Sequence, residues 1–292
     1  MSTVLVTGAS GIAGREVSRV LAAAGHHVRR ADIAPSPDPA DAAIGEFVRC
    51  DTRTPTDVLE AVAGCDAVVH LAAWHNAHQP GVSDATIFAV NVDGTFNVVQ
   101  ACRAAGVRSV VFASSMAYGW GSVYSVTKVL GEDLWKMYRE VTGASVALLR
   151  YHGFVPEPYL RWGERLLRNG VDVRDIATAT AAATEAALAG RIDLFSTIVH
   201  SDHAMPKEVQ DDFTTHGAAW AESRLPGATA LIERHRLALP DRVEQHDLSA
   251  AADLLGWRPR HDFIEFLEDL RRREAAGEDV NDLWAPGRIP AS

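Results

Sequence analysis

Val4-Leu5-Val6-Thr7-Gly8-Ala9-Ser10-Gly11-Ile12-Ala13-Gly14, at the amino terminus, decides the fold. Three apolar residues read as a buried parallel strand, and three glycines follow at once, each three residues from the last. From Ile12 to Ala24 apolar side chains recur every three to four residues, and Gly25 supplies a helix stop. Strand, glycine turn and helix make the entry unit of a doubly wound nucleotide-binding sheet. Bare Cα positions at Gly8, Gly11 and Gly14 let the backbone turn tightly and approach a pyrophosphate, whose charge sits among the free N–H groups at the helix N-terminus. A glycine trio alone can also serve only to close a bend. Here a second strand, residues 27–31, follows and ends in Asp32, 18 residues beyond Gly14. A carboxylate at that distance accepts hydrogen bonds from ribose hydroxyls and repels a 2′-phosphate, which predicts NAD rather than NADP. Arg29 and Arg30 would argue the other way if either faced the site.

Composition sets the outer bounds. At 292 residues the chain can bury one large core with a smaller lobe attached. A net charge of −10, with no basic run, argues against nucleic acid or an anionic membrane as partner. Cys50, Cys65 and Cys102 are an odd, scattered set without CxxC spacing, as expected in a reducing cytoplasm. Met1-Ser2-Thr3 leads straight into the first strand, and no apolar run approaches ~20 residues, so neither a signal peptide nor a membrane span is expected. The twelve histidines include no HExxH, and His26-His27 and His75-x-x-His78 lack a third ligand at metal spacing. No metal is expected.

Further along, three prolines within five residues make 33–45 a surface loop that is neither helix nor ladder strand. A third strand, 46–50, ends at Asp51, which reads as a helix cap or as a contact to adenine. Pro55 opens a helix through Val62. A fourth strand, 66–73, closes on the small residues Ala72 and Ala73, leaving room for a ligand at the carboxyl edge. The loop from Trp74 and His75 to Pro80 lies at that edge, either touching substrate or merely exposed. Residues 84–105 read as one long helix in which Gly94, costing about 1 kcal/mol relative to Ala, implies close packing. A fifth strand, 108–113, then delivers Ser114 and Ser115 to the same edge.

Tyr124-Ser125-Val126-Thr127-Lys128 is the second decisive motif. Residues four apart share a helix face, so the phenol and the ammonium can converge on one bound group. A phenol of pKa near ~10 is a poor base at neutral pH. Positive charge on Lys128 and on an oxidised nicotinamide would lower that value. Tyr124 could then exchange a proton with a substrate hydroxyl while hydride moves between carbon and cofactor. A strand-end serine would hold the reacting oxygen. Counting from Phe112 selects Ser115 for this, whereas counting back from Tyr118-Gly119 selects Ser114; strand register is the stiffer ruler and favours Ser115.

With these motifs in this order, the chain resembles the extended short-chain dehydrogenase/reductases, the branch of NAD-dependent epimerases, dehydratases and sugar dehydrogenases. The resemblance runs through the glycine turn, Asp32, Asp51, residues 70–73, Asn91, Ser114-Ser115, Tyr124 with Lys128, residues 150–156 and Leu255-Gly256-Trp257-Arg258-Pro259. It implies a Rossmann-type doubly wound parallel sheet with a small C-terminal substrate lobe. It also implies NAD held by Gly8, Ser10, Gly11, Ile12 and Gly14, by Asp32 and Ile33, and by Asp51 and Thr52 on the adenine. Leu71, Ala72 and Ala73 would line the cofactor, and Tyr124 and Lys128 would meet the nicotinamide ribose. The backbone at Tyr151, Gly153 and Phe154 would lie near the carboxamide. Asn91 would prop the catalytic lysine, often through water. A homodimer through the helices at 84–105 and 122–142 is a further implication.

Two departures narrow the resemblance. Only eight residues separate Ser115 from Tyr124, and the stretch after Pro156 runs almost directly into residues 171–175. Enzymes that grip a nucleotide sugar usually spend more chain in both places. The compact form, with Pro156-Glu157-Pro158, resembles uronate dehydrogenases, which oxidise small free sugar acids. In that alignment Arg165 falls near a substrate carboxylate; it reads equally well as a solvated helix arginine.

The expected organisation is a cofactor domain over 1–151, a substrate lobe over 152–276 interleaved with the sheet, and a frayed tail over 277–292. Within the lobe, a helix is expected at 174–189, a strand at 192–199, helices broken at Pro206 and Pro226-Gly227, a helix capped by Ser249, and a last helix over 261–275. The function expected is hydride transfer between NAD and a secondary alcohol or carbonyl of a small sugar-like molecule. The alternatives are an epimerase or dehydratase that uses NAD transiently and, remotely, a non-catalytic NAD-binding regulator.

Overall fold

The computed structural model describes residues 1–117 and 119–288, so Tyr118 and residues 289–292 lie outside the described residues. Seven strands form one parallel sheet: β1 (Thr3–Thr7), β2 (His27–Asp32), β3 (Glu46–Arg49), β4 (Ala67–His70), β5 (Ser109–Ser115), β6 (Ser145–Tyr151) and β7 (Leu194–Val199). Their order, β3-β2-β1-β4-β5-β6-β7, reverses direction between β1 and β4. That reversal opens the crevice at the carboxyl edge where doubly wound sheets take their ligands.

Apolar runs too uniform for a half-exposed sheet demand cover on both faces. One face packs against α1 (Ile12–Ala23) and the alanine-rich α7 (Val173–Leu188). The other packs against α2 (Pro55–Val62), α4 (Gly94–Ala105) and α5 (Val123–Thr142), with Trp135 and Tyr138 fully buried. A separate apolar core joins α6 (Tyr159–Leu166) to the C-terminal helices α8 (Lys207–Asp211), α9 (Phe213–Arg224), α10 (Ala228–Arg234) and α12 (Phe263–Ala275). α11 (Ser249–Leu255) returns to the sheet, where Trp257 donates its indole N–H to Thr178 Oγ1 at 3.0 Å. Just beyond, the backbone N–H groups of Arg260 and His261 donate to the Asp175 carboxylate, both at 2.9 Å.

Several sequence expectations need correction. The helix over 84–105 is not uniform: α3 (Asp84–Phe88) passes through a π-helical turn, Ala89–Asp93, before α4. Gly94 meets the close approach expected of it, since a Cβ there would lie 2.6 Å from Thr52 Oγ1. The loop 33–45 contains one 3-10 turn, Pro39–Ala43, with Pro39 in its first turn and the buried Asp41 paired to Arg15 and Arg19. Ser249 does not cap α11; its own N–H donates to the Asp247 carboxylate at 2.8 Å. The tail does not fray over 277–288. Tyr159 N donates to Leu283 O at 3.0 Å, Ala285 N to Glu157 O at 2.9 Å, and Val280 and Ala285 are buried in the lobe core.

Candidate active site

The glycine turn lies at the carboxyl end of β1. Gly8 sits at φ +68°, and a Cβ on it would come within 2.8 Å of Ala72 N. At Gly14 a Cβ would lie 2.1 Å from Gly8 O and 2.6 Å from Ala9 Cα, both backbone atoms that cannot swing away. No side chain caps α1, and no acidic residue occupies its first turn, so the N–H groups behind Gly11 remain available for an anion. A cradle bare of side chains at an uncapped helix start fits a dinucleotide pyrophosphate.

At the end of β2, Asp32 accepts from Ser10 N at 2.9 Å and Ile33 N at 2.7 Å, while burial pushes its carboxyl above the usual range. Ser10 donates its hydroxyl to Ala34 O at 2.6 Å. Neither strand arginine turns toward this carboxylate. Arg29 donates to Ala61 O and Ala63 O at 2.9 and 2.7 Å, and Arg30 to Gly45 O at 3.2 Å. Asp51 is engaged by Arg53, which holds it below the ordinary carboxylate range, and Thr52 is buried against Gly94. Leu71, Ala72 and Ala73 are half-buried beyond β4. The Tyr151 ring is buried in the core, its hydroxyl paired with Thr180 Oγ1 at 2.7 Å, so its backbone alone remains to face the crevice. Gly153 is fixed from both sides, donating to Asn169 O and accepting from Val171 N. Phe154 rests edge-on against the Tyr151 ring at 6.0 Å.

Strand periodicity separates the two serines, because successive side chains leave opposite faces of β5. Ser114 Oγ donates to Glu132 Oε1 at 2.6 Å, inside a buried site where Arg150 also donates to both carboxylate oxygens at 2.8 and 2.9 Å. Ser115 Oγ instead accepts from Ala117 N at 3.1 Å and stands near the Tyr124 hydroxyl, whose pKa it lowers. Tyr124 reaches it because α5 begins at a capping box: Ser122 Oγ accepts from Ser125 N at 3.2 Å, and Ser125 Oγ accepts from Ser122 N at 3.3 Å. One turn on, the buried Lys128 ammonium donates to Ala113 O at 2.8 Å and stands 5.7 Å from the Tyr124 ring centre. Burial brings the lysine down to about 8.

The acidity expected of this phenol rests on Lys128 together with an oxidised nicotinamide ring; burial in the protein works against it. Burial raises the Tyr124 pKa, and the nearby Ser115 hydroxyl only partly offsets it. Desolvation of a phenolate outweighs a single neutral dipole nearby.

Asn91, in the π-helical turn, clamps the Trp74 backbone by accepting from its N–H at 2.8 Å and donating to its carbonyl at 2.9 Å. The same amide donates to Thr127 Oγ1 at 2.9 Å, tying the loop after β4 to the residue beside Lys128. A chain that sequence reasoning missed supports this turn. His70 bridges Thr7 Oγ1 at 2.7 Å and Thr95 Oγ1 at 3.0 Å, and Thr95 donates to Asn91 O at 2.6 Å. Burial takes His70 down to about 3, so it stays a neutral spacer. A histidine at the end of an apolar strand was the one available signal.

On the substrate side, the His75 ring packs at 4.2 Å from that of Tyr124. Its Nδ1 accepts from Ala77 N at 2.9 Å, and burial helped by nearby positive charge lowers it to about 4. His75 is therefore neutral, with its proton on Nε2. Arg165 packs on Gly153 and pairs with Glu157, so it is not a freely solvated helix arginine. His152, His200 and His246 also stack ring to ring past β6 and β7. Among the described residues no group of three or more ligating side chains could hold a metal ion. Nor is any described helix long and apolar enough to cross a membrane.

Comparison with known proteins fits this geometry. Uronate dehydrogenase of Agrobacterium fabrum is 35% identical over 174 residues, covering 54% of this chain and 63% of that protein. A 3-beta-hydroxysteroid dehydrogenase of Mycolicibacterium neoaurum is 38% identical over 123 residues, covering 39% of this chain and 32% of that protein. The matched regions thus span less than two thirds of either relative. Among solved structures, the UDP-Glc/GlcNAc 4-epimerase of Campylobacter jejuni superposes with a TM-score of 0.69 at 15% identity, over 94% of this chain and 100% of that one, which shows a shared fold. A model of the NAD dependent epimerase/dehydratase family matches residues 4–155, over half the chain. The chain belongs to the NAD dependent epimerase/dehydratase family.

Proposed function

We propose that the protein is an NAD-dependent oxidoreductase acting on a secondary alcohol or carbonyl of a small, polar, sugar-like substrate. The observation that carries this reading is the convergence of Ser115, Tyr124 and Lys128 at the end of β5 and the start of α5, two strands from the glycine turn. Gly8, Ser10, Gly11, Ile12 and Gly14 would hold the pyrophosphate, Asp32 and Ile33 the adenosine ribose, and Asp51 and Thr52 the adenine. Leu71 to Ala73 and the backbone at Tyr151, Gly153 and Phe154 would line the nicotinamide half. Asp32 supports NAD over NADP, since Arg29 and Arg30 are spent on carbonyls elsewhere. Residues 1–151 would serve the cofactor and 152–276 the substrate.

When bound, NAD supplies a two-electron acceptor and a positively charged ring. Every other task falls to the protein. Ser115 Oγ and the Tyr124 hydroxyl would bracket the substrate oxygen, Tyr124 taking its proton in oxidation and returning it in reduction. Lys128 would meet the nicotinamide ribose one helical turn from that phenol, and Asn91 fixes the loop that carries His75. Trp74, His75 and Arg165 border the substrate. Exposed Phe96, Val126, Leu130, Met137 and Val141 on α4 and α5 support a homodimer, and three free, buried cysteines support a reducing cytoplasmic setting.

Assay of purified protein with free sugars, sugar acids and nucleotide sugars tests the reading. Accumulating NADH absorbance is the expected result. Isomerised or dehydrated product without NADH would favour the epimerase/dehydratase alternative, which the family also contains. Absence of NAD binding would overturn both.

A further inference from the structure

Residues 283–288 leave the core of the C-terminal lobe and come to rest against the cofactor domain. We propose that this segment is a strap that holds the two halves of the dinucleotide site in register, with Gly287 as a positioning residue for the pyrophosphate turn. The inference rests on the NAD reading above.

One end of the strap is fixed to the chain that follows β6. Pro158 and Trp284 form an isolated antiparallel bridge, flanked by Tyr159 N donating to Leu283 O at 3.0 Å and Ala285 N donating to Glu157 O at 2.9 Å. That anchorage lies just beyond the Gly153 and Phe154 backbone, the side of the crevice assigned to the nicotinamide half. The Arg288 guanidinium stacks on the Trp284 ring, 3.5 Å from its centre, and folds the end of the strap back on itself.

The other end meets the glycine turn. Gly287 sits at φ +78°, and a Cβ there would lie 2.8 Å from Val173 Cγ1 and 3.3 Å from Ile12 Cγ2, so its bare Cα rests against both side chains. Ile12 opens α1, the helix start that forms the anion cradle. Val173 opens α7, close behind Val171, whose N–H donates to Gly153 O at 3.0 Å. The strap therefore touches the pyrophosphate turn directly and braces the 153–157 segment from two sides. Val173 is buried and β-branched, hence stiff at χ1 in a helix and unable to swing aside. A side chain at position 287 must lift the strap instead. A dinucleotide spans both halves of the site, so it favours the docked arrangement, and docking and binding reinforce each other.

The test uses the full-length protein and compares wild type with Gly287→Ala, Gly287→Val and the control Gly277→Ala, each checked by thermal melting. Gly277, at φ +75°, has open space where its Cβ would stand, so alanine there meets the same backbone strain without touching the cofactor domain. NAD and NADH affinities are measured by calorimetry, and NADH release by stopped-flow fluorescence. Chymotrypsin cleavage after Leu283 or Trp284 is followed with and without NAD. Reducing the docked fraction to about a tenth raises the apparent Kd about tenfold, the expected result for Gly287→Val, with a smaller rise for Gly287→Ala. The change should lie in faster release. Gly277→Ala should keep the wild-type Kd even where its Tm falls, and NAD should slow cleavage of the wild-type strap, as reciprocity requires. Unchanged Kd in the folded Gly287 variants, or an equal loss in Gly277→Ala, would overturn the strap and leave the NAD reading standing. So would cleavage that saturating NAD does not slow. Failure of the wild type to bind NAD would remove the underlying reading and the strap with it.

Discussion

Substituting the adjacent serines of β5 one at a time should separate chemistry from structure. Ser114→Ala deletes a 2.6 Å hydrogen bond to a carboxylate that is almost wholly buried, while Arg150 keeps its two bonds to the same group. A hydrogen bond to a charged group is worth about 1.5–3 kcal/mol. For a chain of this size that amounts to a fall in Tm of roughly 3–10 °C. Nothing on the reacting side changes, so kcat should stay within a factor of two or so. Ser115→Ala removes a neutral, part-buried hydroxyl, for a stability cost of about 1 kcal/mol at most. It also removes the hydroxyl that would hold the substrate oxygen beside Tyr124, and loss of one such donor costs roughly 10²–10³ in kcat. Differential scanning fluorimetry and initial rates on the two proteins measure the crossed pattern. A Ser114→Ala protein that melts like wild type but loses activity, or an active Ser115→Ala, would refute the assignment.

Three further outcomes follow from the packing. Gly14→Ala forces a methyl to 2.1 Å from Gly8 O, so the turn must move by about 1 Å, and NAD affinity by calorimetry should fall at least about a hundredfold; wild-type affinity would contradict the cradle. Burial raises Asp175 to about 6, so the native state holds its proton longer than the unfolded chain, and the stability Asp175 contributes is complete below about pH 4 and lost as pH rises through 6. The stability gap between wild type and Asp175→Asn should therefore narrow by up to about 3 kcal/mol over that range in urea titrations, and a gap that widens would be wrong in sign. Val126, Leu130, Met137 and Val141 share one exposed face of α5, so Val126→Glu with Leu130→Glu should convert a dimer into a folded monomer by light scattering; a monomeric wild type would exclude that interface.

Much of the architecture was legible because its signals are local. The glycine turn, Asp32 and the Tyr124–Lys128 spacing each encode their geometry within a few residues, and the structure sets them along one sheet edge. Legibility failed where a partner is distant in sequence. Nothing near Ser114 announces Glu132 and Arg150, 18 and 36 residues away, yet they decide which serine is buried. The Leu255–Pro259 motif was visible as a pattern. Its physical task, docking Trp257 and the strand of chain at 260–261 onto Thr178 and Asp175 of α7, was not. The 277–288 segment reads as polar and frayed until Leu283 and Ala285 find backbone partners at Tyr159 and Glu157. The burial that raises the pKa of the Tyr124 phenol is likewise a property of the fold, not of its neighbours in sequence.

The central claim is that Tyr124 exchanges the substrate proton beside NAD. Its most direct test is Tyr124→Phe, followed by NAD titration and by the rate of NADH formation with the best wild-type substrate. The account predicts NAD affinity within about threefold of wild type and turnover reduced by about 10²–10⁴, the usual range for losing a positioned acid–base group. Full turnover by the phenylalanine protein, with NAD bound, would contradict it.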